Sequence, residues 1–256
     1  MIEIKNLSFS YKKSPYIDSM NLSLEEGRLI AIIGTNGSGK STLLKLISGE
    51  LSPRQGEITV NGKNAKKIRR REMARLVSYF PQGRETPDMT ALEMVSLGRF
   101  ATRAMGISPS KKERAIAMSA LDYVGMANFA NVNLKKMSYG EKQKVSLAML
   151  VAQDAQHCLV DEPTNFLDIG AQFAMMETLR SLRNKGKCII CVLHDIPLAM
   201  KYADRVIIMQ NGTVFADGTP DELYENKLIN ETFGISLVKN QDNDQTSYIA
   251  IPKTQF

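Results

Sequence analysis

Apolar and polar positions near the start of the chain predict two kinds of strand. Met20, Leu22 and Leu24 alternate with polar residues, as expected of an antiparallel strand with one buried face. Residues 28–33, RLIAII, are apolar almost throughout, which is typical of a strand covered on both faces. A helical pattern follows directly and meets a stop signal at Gly49. The chain therefore begins with an antiparallel region and passes into a sheet that helices cover.

Strand and helix patterns alternate again in the second half of the chain. A strand at 158–160 precedes a helix at about 168–185, and a strand at 188–193 precedes a helix through Leu198. This order predicts a mainly parallel sheet with helices on its faces. The dipeptide Asn61-Gly62 predicts a hairpin with a two-residue turn, and the segment RVIIMQNGTVFADG predicts a second hairpin.

A helical insertion is predicted from about residue 84 to 151. No convincing strand pattern occurs there, and two capping boxes, Thr90 to Glu93 and Ser110 to Glu113, mark helix starts. Just before it, residues 63–75 carry three lysines, four arginines and one acid, which favours a solvated helix face. A nucleic-acid groove is the alternative for this basic stretch, although no stacking aromatic residues are interleaved in it.

The C-terminal part ends in one helix signal and a polar tail. Thr219-Pro220-Asp221-Glu222 opens a last helix, with proline at its first position. After Gly234 the sequence is polar except for SYIAIP, which predicts a small hairpin or a loose end. We therefore expect a main domain at 1–235, into which the helical subdomain is inserted, and a tail at 236–256.

Composition places the chain among ordinary globular proteins, with 43 % apolar and 23 % charged residues. No apolar run reaches the roughly 18 residues that a membrane span needs, and no secretory signal is recognisable, so a cytoplasmic setting is expected. Cys188 and Cys191 have the spacing of a redox or metal pair. Because they lie three apart in a predicted strand, their thiols should point to opposite faces of the sheet. The net charge of +6 fits nucleic acid, an anionic membrane surface or phosphate ligands.

The strongest chemical signal is the sequence GTNGSGKS, which matches G-x-x-x-x-G-K-[ST] between a buried strand and a helix start. Backbone N–H groups and the helix dipole converge on a phosphate in that setting. We expect Lys40 to neutralise the terminal phosphates and the Ser41 hydroxyl to ligate Mg²⁺. The nucleotide-binding residues predicted here are Gly34, Thr35, Asn36, Gly37, Ser38, Gly39, Lys40, Ser41 and Thr42.

Polar residues at the ends of two later strands complete a hydrolytic site. Asp161 and Glu162 follow an apolar strand, at the carboxyl edge where open α/β sheets place their ligand groups. Asp161 is expected to hold Mg²⁺, and Glu162 is expected to activate water. His194 ends the next strand and could reach a γ-phosphate, or it could be a core histidine. His157, inside a buried strand, is predicted to be structural.

These motifs occur in an order that closely resembles the nucleotide-binding subunit of ABC transporters over about residues 1–235. The resemblance implies an α/β P-loop NTPase fold with a mainly parallel sheet, an N-terminal antiparallel β subdomain and an inserted helical subdomain. It also implies ATP and Mg²⁺ as cofactors. By the same resemblance Gln82 senses magnesium and the γ-phosphate, His194 is the switch histidine, and Tyr11 stacks on adenine.

The segment MSYGE resembles the family signature but departs from its commonest form, LSGGQ. Tyr139 replaces the first glycine and Glu141 the glutamine, whereas Ser138 and Gly140 remain. Ser138-x-x-Glu141 is also a capping box, which places an anion site at a helix start. The resemblance implies that Ser138 and Gly140 bind ATP held by a second copy, so that two subunits enclose two ATP molecules.

The region QGRETPDMTALEMVSLGRF is similar to that of importers for iron chelates, haem and cobalamin. We therefore expect an ATPase for iron-siderophore uptake, peripheral on the cytoplasmic face of the membrane. Expected partners are a second copy, an integral membrane permease and, indirectly, an extracytoplasmic substrate-binding protein; no nucleic acid is expected. Met89, Leu97 and Phe100 are contact candidates for the permease, or core residues of the insertion. Haem or cobalamin import, an ABC-type ATPase acting on nucleic acid or the ribosome, and a non-catalytic nucleotide-binding regulator are the alternatives.

Overall fold

A computed structural model describes residues 1–11, 16–83, 86–102, 108–242 and 245–253. In chain order its strands are β1 (Ile2–Phe9), β2 (Ile17–Leu24), β3 (Leu29–Gly34), β4 (Gln55–Val60), β5 (Lys63–Asn64), β6 (Val77–Phe80), β7 (His157–Asp161), β8 (Cys188–Val192), β9 (Arg205–Gln210), β10 (Thr213–Gly218), β11 (Ile235–Asp242) and β12 (Gln245–Pro252). Its α-helices are α1 (Lys40–Ser48), α2 (Arg70–Leu76), α3 (Ala91–Leu97), α4 (Lys111–Tyr123), α5 (Tyr139–Gln153), α6 (Ile169–Asn184), α7 (Ile196–Tyr202), α8 (Pro220–Glu225) and α9 (Leu228–Phe233).

The N-terminal strands form the antiparallel sheet that the alternating pattern predicts. Its order is β2-β1-β4-β5, and Ile2 pairs with Leu24 on one side and with Val60 on the other. The apolar residues of these strands point to one face, where they are buried against α1 and one face of the central sheet. This packing ties the phosphate loop to the N-terminal sheet.

The central sheet has the order β10-β9-β3-β8-β7-β6, and β9 through β6 run parallel. Every residue of β3, β7 and β8 is buried, because apolar clusters cover both faces of these strands. Cys188 belongs to the cluster on the α1 side and Cys191 to the cluster on the α6 side. The two thiols therefore lie on opposite faces, as predicted, and cannot act as a pair.

Both Asn-Gly turns form hairpins. Asn61 and Gly62 have φ of 50° and 75°, and they join β4 to β5, whereas Asn211 and Gly212 have φ of 48° and 78° and join β9 to β10. At Gly212 a Cβ atom would lie 2.2 Å from the Tyr16 carbonyl oxygen, so that a larger residue cannot fit there. The Asn-Gly dipeptide alone was therefore sufficient to predict these two turns.

Residues 86–102 and 108–151 form the helical part, which has its own apolar core between α3, α4 and α5. Both predicted capping boxes are present, at Thr90 for α3 and at Ser110 for α4. The described residues of this part contain no strand, only an isolated bridge between Thr90 and Asn133. The predicted start at residue 84 lies outside the described residues.

Two local predictions were wrong. The basic stretch 63–75 does not form one helix face: it begins as β5, continues as a 3-10 turn at Ala65–Lys67, and enters α2 only at Arg70. Strand pairing after the Asn61 turn overrides the local helix preference there. The helix opened by Thr219 is also not the last, because Lys227 adopts φ of 56° and α9 follows it.

The segment after Gly234 is a hairpin of β11 and β12, one of the two forms predicted for it. Leu237 and Tyr248 are buried in the core cluster on the α6 side, and α7 contacts β12. The proposed boundary at 235 coincides with the first residue of β11 and stays a prediction. Residues 254–256 of the predicted tail lie outside the described part. Among the described helices, none combines the length and hydropathy needed to cross a bilayer.

Candidate functional site

The predicted phosphate loop joins β3 to α1, and three glycines with positive φ form its turns. Gly34, Gly37 and Gly39 have φ of 154°, 81° and 102°. At Gly34 a Cβ atom would lie 2.2 Å from the Met209 carbonyl oxygen, because the loop leaves the sheet against β9. Glycine is therefore required where the chain turns from the sheet into the helix.

The Lys40 side chain folds back and binds the backbone of the loop. Its Nζ donates to the carbonyl oxygens of Gly34 and Thr35, at 2.9 Å and 3.1 Å, and the residue is buried. Burial lowers the pKa of the Lys40 ammonium, and the carboxylates of Glu162 and Asp161 oppose that shift. The loop thus keeps a poorly solvated ammonium that an anion could bind.

The Ser38 hydroxyl and the start of α1 can make further hydrogen bonds. The Ser38 hydroxyl is buried without a described partner, and Gly39, which precedes α1, provides no side-chain cap for the helix. The first N–H groups of α1 are therefore left for another acceptor. A phosphate group fits this donor set, because it brings several acceptor oxygens to a helix N-terminus.

Asp161 ends β7 beside the loop. Its Oδ1 accepts a hydrogen bond from Ser41 Oγ at 3.0 Å, and its Oδ2 accepts one from the Tyr79 hydroxyl at 3.2 Å. Burial raises the pKa of the Asp161 carboxyl, while the Ser41 and Tyr79 hydrogen bonds act in the opposite direction. A hydroxyl and a carboxylate in contact are the hard oxygen ligands that Mg²⁺ prefers, so the pair fits this ion.

Glu162 is the centre of a hydrogen-bonded group at the same edge. Its Oε2 accepts from Gln82 Nε2 and, at 2.5 Å, from Asn165 Nδ2, and its Oε1 lies 2.5 Å from His194 Nε2. Because a carboxylate only accepts, the His194 Nε2 carries the hydrogen in this contact. The structure thereby brings together Gln82, Glu162 and His194, the three residues predicted to be catalytic.

The sheet explains this convergence. Gln82 follows β6, Glu162 follows β7 and His194 follows β8, and these parallel strands are neighbours. Their carboxyl ends lie at one edge, next to the loop that follows β3. Sequence reasoning missed Asn165, although it lies three residues after Glu162 in the segment DEPTNFLD.

Tyr11 lies beside the start of α1. Its hydroxyl is 3.1 Å from Thr42 Oγ1, and its ring meets the rings of Phe9 and Tyr16 edge-on. More than half of Tyr11 is exposed, which leaves the ring accessible to a planar ligand. His157, in contrast, is fully buried with its Nε2 3.0 Å from Asn61 Oδ1, and burial lowers its pKa to about 4. Its prediction as a core histidine is confirmed.

Ser138 and Gly140 lie at the start of α5, and none of the hydrogen bonds described for Ser138 joins the group around Glu162. The predicted capping box forms: Ser138 Oγ accepts from the Glu141 N–H at 3.3 Å, and Glu141 accepts from the Ser138 N–H at 2.7 Å. None of the hydrogen bonds described for Ser138 reaches the phosphate loop of the same chain. Ser138 is exposed, so this helix start is open to another molecule.

Comparisons with known proteins agree with this geometry. The sequence profile of the family described as ABC transporter matches residues 17–165. The chain is 34 % identical over 234 residues to the petrobactin import ATP-binding protein FpuD of Bacillus anthracis, covering 91 % of this chain and 86 % of the relative. It is 36 % identical over 236 residues to the achromobactin transport ATP-binding protein CbrD of Dickeya dadantii, covering 91 % and 88 %.

Among solved structures, the chain is similar to the ATP-binding cassette MJ0796, determined as a dimer in a post-hydrolysis state with bound ADP and Pi. The two share 28 % identity with a TM-score of 0.78, and the match covers 86 % of this chain and 99 % of that one. The likeness therefore extends over nearly the whole of that cassette.

Proposed function

The chain belongs to the ABC transporter family as an ATP-binding subunit, and we propose that it hydrolyses ATP to drive import of an iron-siderophore-type chelate. The observation that carries the ATPase proposal is the contact of the Glu162 carboxylate with Gln82 and His194 at the sheet edge that holds Asp161. The choice of cargo is supported by the relatives, whose names assign them to petrobactin and achromobactin.

ATP would occupy the loop from Gly34 to Ser41, with its terminal phosphates on Lys40 and its adenine on the exposed ring of Tyr11. The buried Ser38 hydroxyl and the first N–H groups of α1 support this placement. Mg²⁺ would be held by Ser41, Asp161 and Gln82, where it supplies positive charge to the phosphate oxygens. The remaining positions of an Mg²⁺ ion are ordinarily filled by water and phosphate oxygens.

Glu162 would accept a proton from the water that attacks the γ-phosphate. Gln82 and Asn165 donate to one of its oxygens, and His194 Nε2 meets the other. These contacts fix the direction of the carboxylate, so that water can be oriented without side-chain reorganisation. His194, on the next strand, is suited to sense the γ-phosphate because its side chain is partly exposed.

A second copy of the chain would complete each ATP site. Ser138 and Gly140 offer an exposed helix start that the phosphate loop of the same chain does not use. The similar cassette MJ0796 was solved as a dimer, which supports this arrangement. The two sites would then be enclosed between subunits, each with the phosphate loop of one and the α5 start of the other.

The helical part would dock on an integral membrane permease, holding the chain at the cytoplasmic face of the membrane. Leu97 and Phe100 are exposed there, whereas Met89 packs against the helical core. Of the three contact candidates, Leu97 and Phe100 therefore remain, and Met89 fits the alternative of a core residue. A substrate-binding protein would meet the permease outside the cell and reach this chain only through it.

Three of the seven basic residues in the stretch 63–75 have partners within the chain. Arg71 and Arg75 both donate through Nε to the Ala101 carbonyl oxygen, at 3.0 Å and 2.9 Å. Lys63 is paired with Glu72 at 2.8 Å. These three side chains connect α2 to the helical part and β5 to α2, which gives them a structural role.

Uptake of a radiolabelled ferric siderophore by cells of the source organism tests this function. We expect cells without the chain to lose uptake, the wild-type chain to restore it, and Lys40→Ala to fail. Uptake of haem and cobalamin in the same strains is the control for the cargo. Unchanged siderophore uptake in cells without the chain would contradict iron-chelate import. Loss of haem uptake alone would instead identify haem as the cargo, and loss of cobalamin uptake alone would identify cobalamin.

A further inference from the structure

Tyr139, the residue that departs from the glycine of the commonest signature, has a defined side-chain position. It is the first residue of α5, and its hydroxyl accepts a hydrogen bond from Gln143 Nε2 at 2.6 Å. Gln143 is buried, so this bond fixes the direction of the ring. The ring meets Phe166 edge-on, with 5.5 Å between the centroids and an angle of 85° between the planes.

Phe166 belongs to the segment that carries the proposed base. Glu162 and Phe166 have φ of 52° and 60°, a region that residues with side chains seldom occupy. Phe166 is 84 % exposed, so the protein interior does little to hold its ring. Asn165, directly before it, donates to the Glu162 carboxylate. Any shift at Phe166 therefore reaches Glu162 through one hydrogen bond.

We propose that Tyr139 is a positioning residue: its ring holds Phe166, and thereby residues 162–168, in the conformation that orients Glu162. This inference rests on the proposed ATPase function. Tyr139 lies between Ser138 and Gly140, which we assign to the ATP of the second copy, whereas Glu162 serves the ATP of its own chain. The contact therefore links the two ATP sites of the pair within each subunit. A glycine at position 139 would have no side chain to contact Phe166.

A fluorescence measurement tests the contact without ATP. The sequence contains no tryptophan, so Phe166→Trp creates a single reporter at this position. In that background we expect Tyr139→Ala to lower the anisotropy of the tryptophan and to increase its quenching by acrylamide, and Tyr139→Phe, which keeps the ring but loses the hydroxyl, to have a smaller effect on both. Tyr123→Ala is the matched control, since Tyr123 and Tyr139 are each 37 % exposed. Unchanged anisotropy with Tyr139→Ala would overturn the proposal.

ATP turnover gives the second test. Tyr139→Ala and Phe166→Ala should each lower kcat by about 2- to 10-fold, the range of an aromatic pair, with little change in KM. The double variant should be no slower than the slower single variant, because both remove one contact. Additive losses would contradict the coupling. A wild-type chain without turnover would contradict the proposed ATPase instead, and the fluorescence result would still decide the role of Tyr139.

Discussion

At the scale of single residues, Asp161 is a buried carboxylate at the proposed Mg²⁺ site, where its charge costs stability. Its carboxyl is almost entirely buried, with hydroxyl groups as its hydrogen-bond partners and Glu162 beside it. Burial raises its pKa, so the folded state binds this proton more tightly than the unfolded chain does. Between the unfolded and the folded pKa the protein therefore loses stability as the pH rises, and above the folded pKa it carries the full cost of the charge.

Asp161→Asn should accordingly stabilise the ligand-free protein. We expect Tm at pH 7 to rise by about 2–4 °C, the shift that roughly 1 kcal/mol produces in a chain of this size. The gain should shrink as the pH falls towards 4, because the wild-type carboxyl becomes protonated. Thermal unfolding in the presence of EDTA measures this, with the exposed Asp18→Asn as control. A lower Tm for Asp161→Asn at pH 7 would show that the buried charge of Asp161 does not destabilise the folded protein.

At the scale of elements, the C-terminal hairpin has one buried face and one exposed face, which contribute differently to stability. Leu237 and Tyr248 are buried in the core, and the Tyr248 hydroxyl donates to Asp221 at 2.9 Å. Val238 and Ile249, which pair across the two strands, are exposed. Because side chains alternate along a strand, neighbouring residues of β12 differ sharply in what they contribute.

Tyr248→Ala should lower the free energy of unfolding by about 3 kcal/mol, as for other large buried aromatics. Ile249→Ala, at the next residue, should change it by no more than about 0.5 kcal/mol, because its side chain is half exposed. Urea denaturation compares the two variants. Equal losses would mean that the hairpin is not seated on the core in this register.

Local sequence signals were sufficient to predict some elements of the fold and insufficient to predict others. The Asn61 turn and the capping boxes of α3, α4 and α5 form as the sequence indicates, because their hydrogen bonds join residues only a few positions apart. The helix predicted over 63–75 failed at its start because Lys63 and Asn64 belong to the Asn61-Gly62 hairpin, where they pair with Val60 and Thr59. The end of the chain was left between two forms because the burial of Leu237 and Tyr248 against the core is a tertiary effect.

The same distinction holds in the site. The spacing G-x-x-x-x-G-K-S and the strand before Asp161 were enough to locate the phosphate loop and the acidic pair. The parallel order β8-β7-β6 could not be read directly, and it is what places Gln82 and His194 on the Glu162 carboxylate. Contacts such as that between Tyr139 and Phe166 connect distant segments, and periodicity carries no trace of them.

At the scale of the whole molecule, the proposed ATP site is divided between two surfaces, one from each copy of the chain. The first N–H groups of α1 have no side-chain cap, whereas at the exposed start of α5 the Ser138 N–H and hydroxyl donate to Glu141, which leaves the N–H groups of Tyr139 and Gly140 for an anion. The hydrogen bonds described for Ser138 do not reach the phosphate loop. Association of two copies would bring each start of α5 over the ATP of the other. Turnover would then depend on the pair, whereas the first binding of nucleotide would not.

Ser138→Arg should therefore separate these two steps. The larger, charged side chain should block ATP-driven dimerisation, while ATP affinity of the single chain stays within about threefold because the phosphate loop is untouched. Sedimentation velocity with Mg²⁺ and ATP in a Glu162→Gln background gives the dimer fraction, and calorimetry gives the affinity. Dimers at wild-type abundance in the Ser138→Arg variant would refute the shared site.

The most direct test of the whole account is single-turnover hydrolysis by Glu162→Gln. Removing the base should slow hydrolysis by about 10²- to 10⁴-fold, while the variant still binds Mg²⁺ and ATP, because Lys40, Ser41 and Asp161 are unchanged. Bound ATP should then persist and be recovered intact from the protein. Hydrolysis at a near-normal rate by this variant would contradict the assignment of Glu162 as the base on which the proposed mechanism depends.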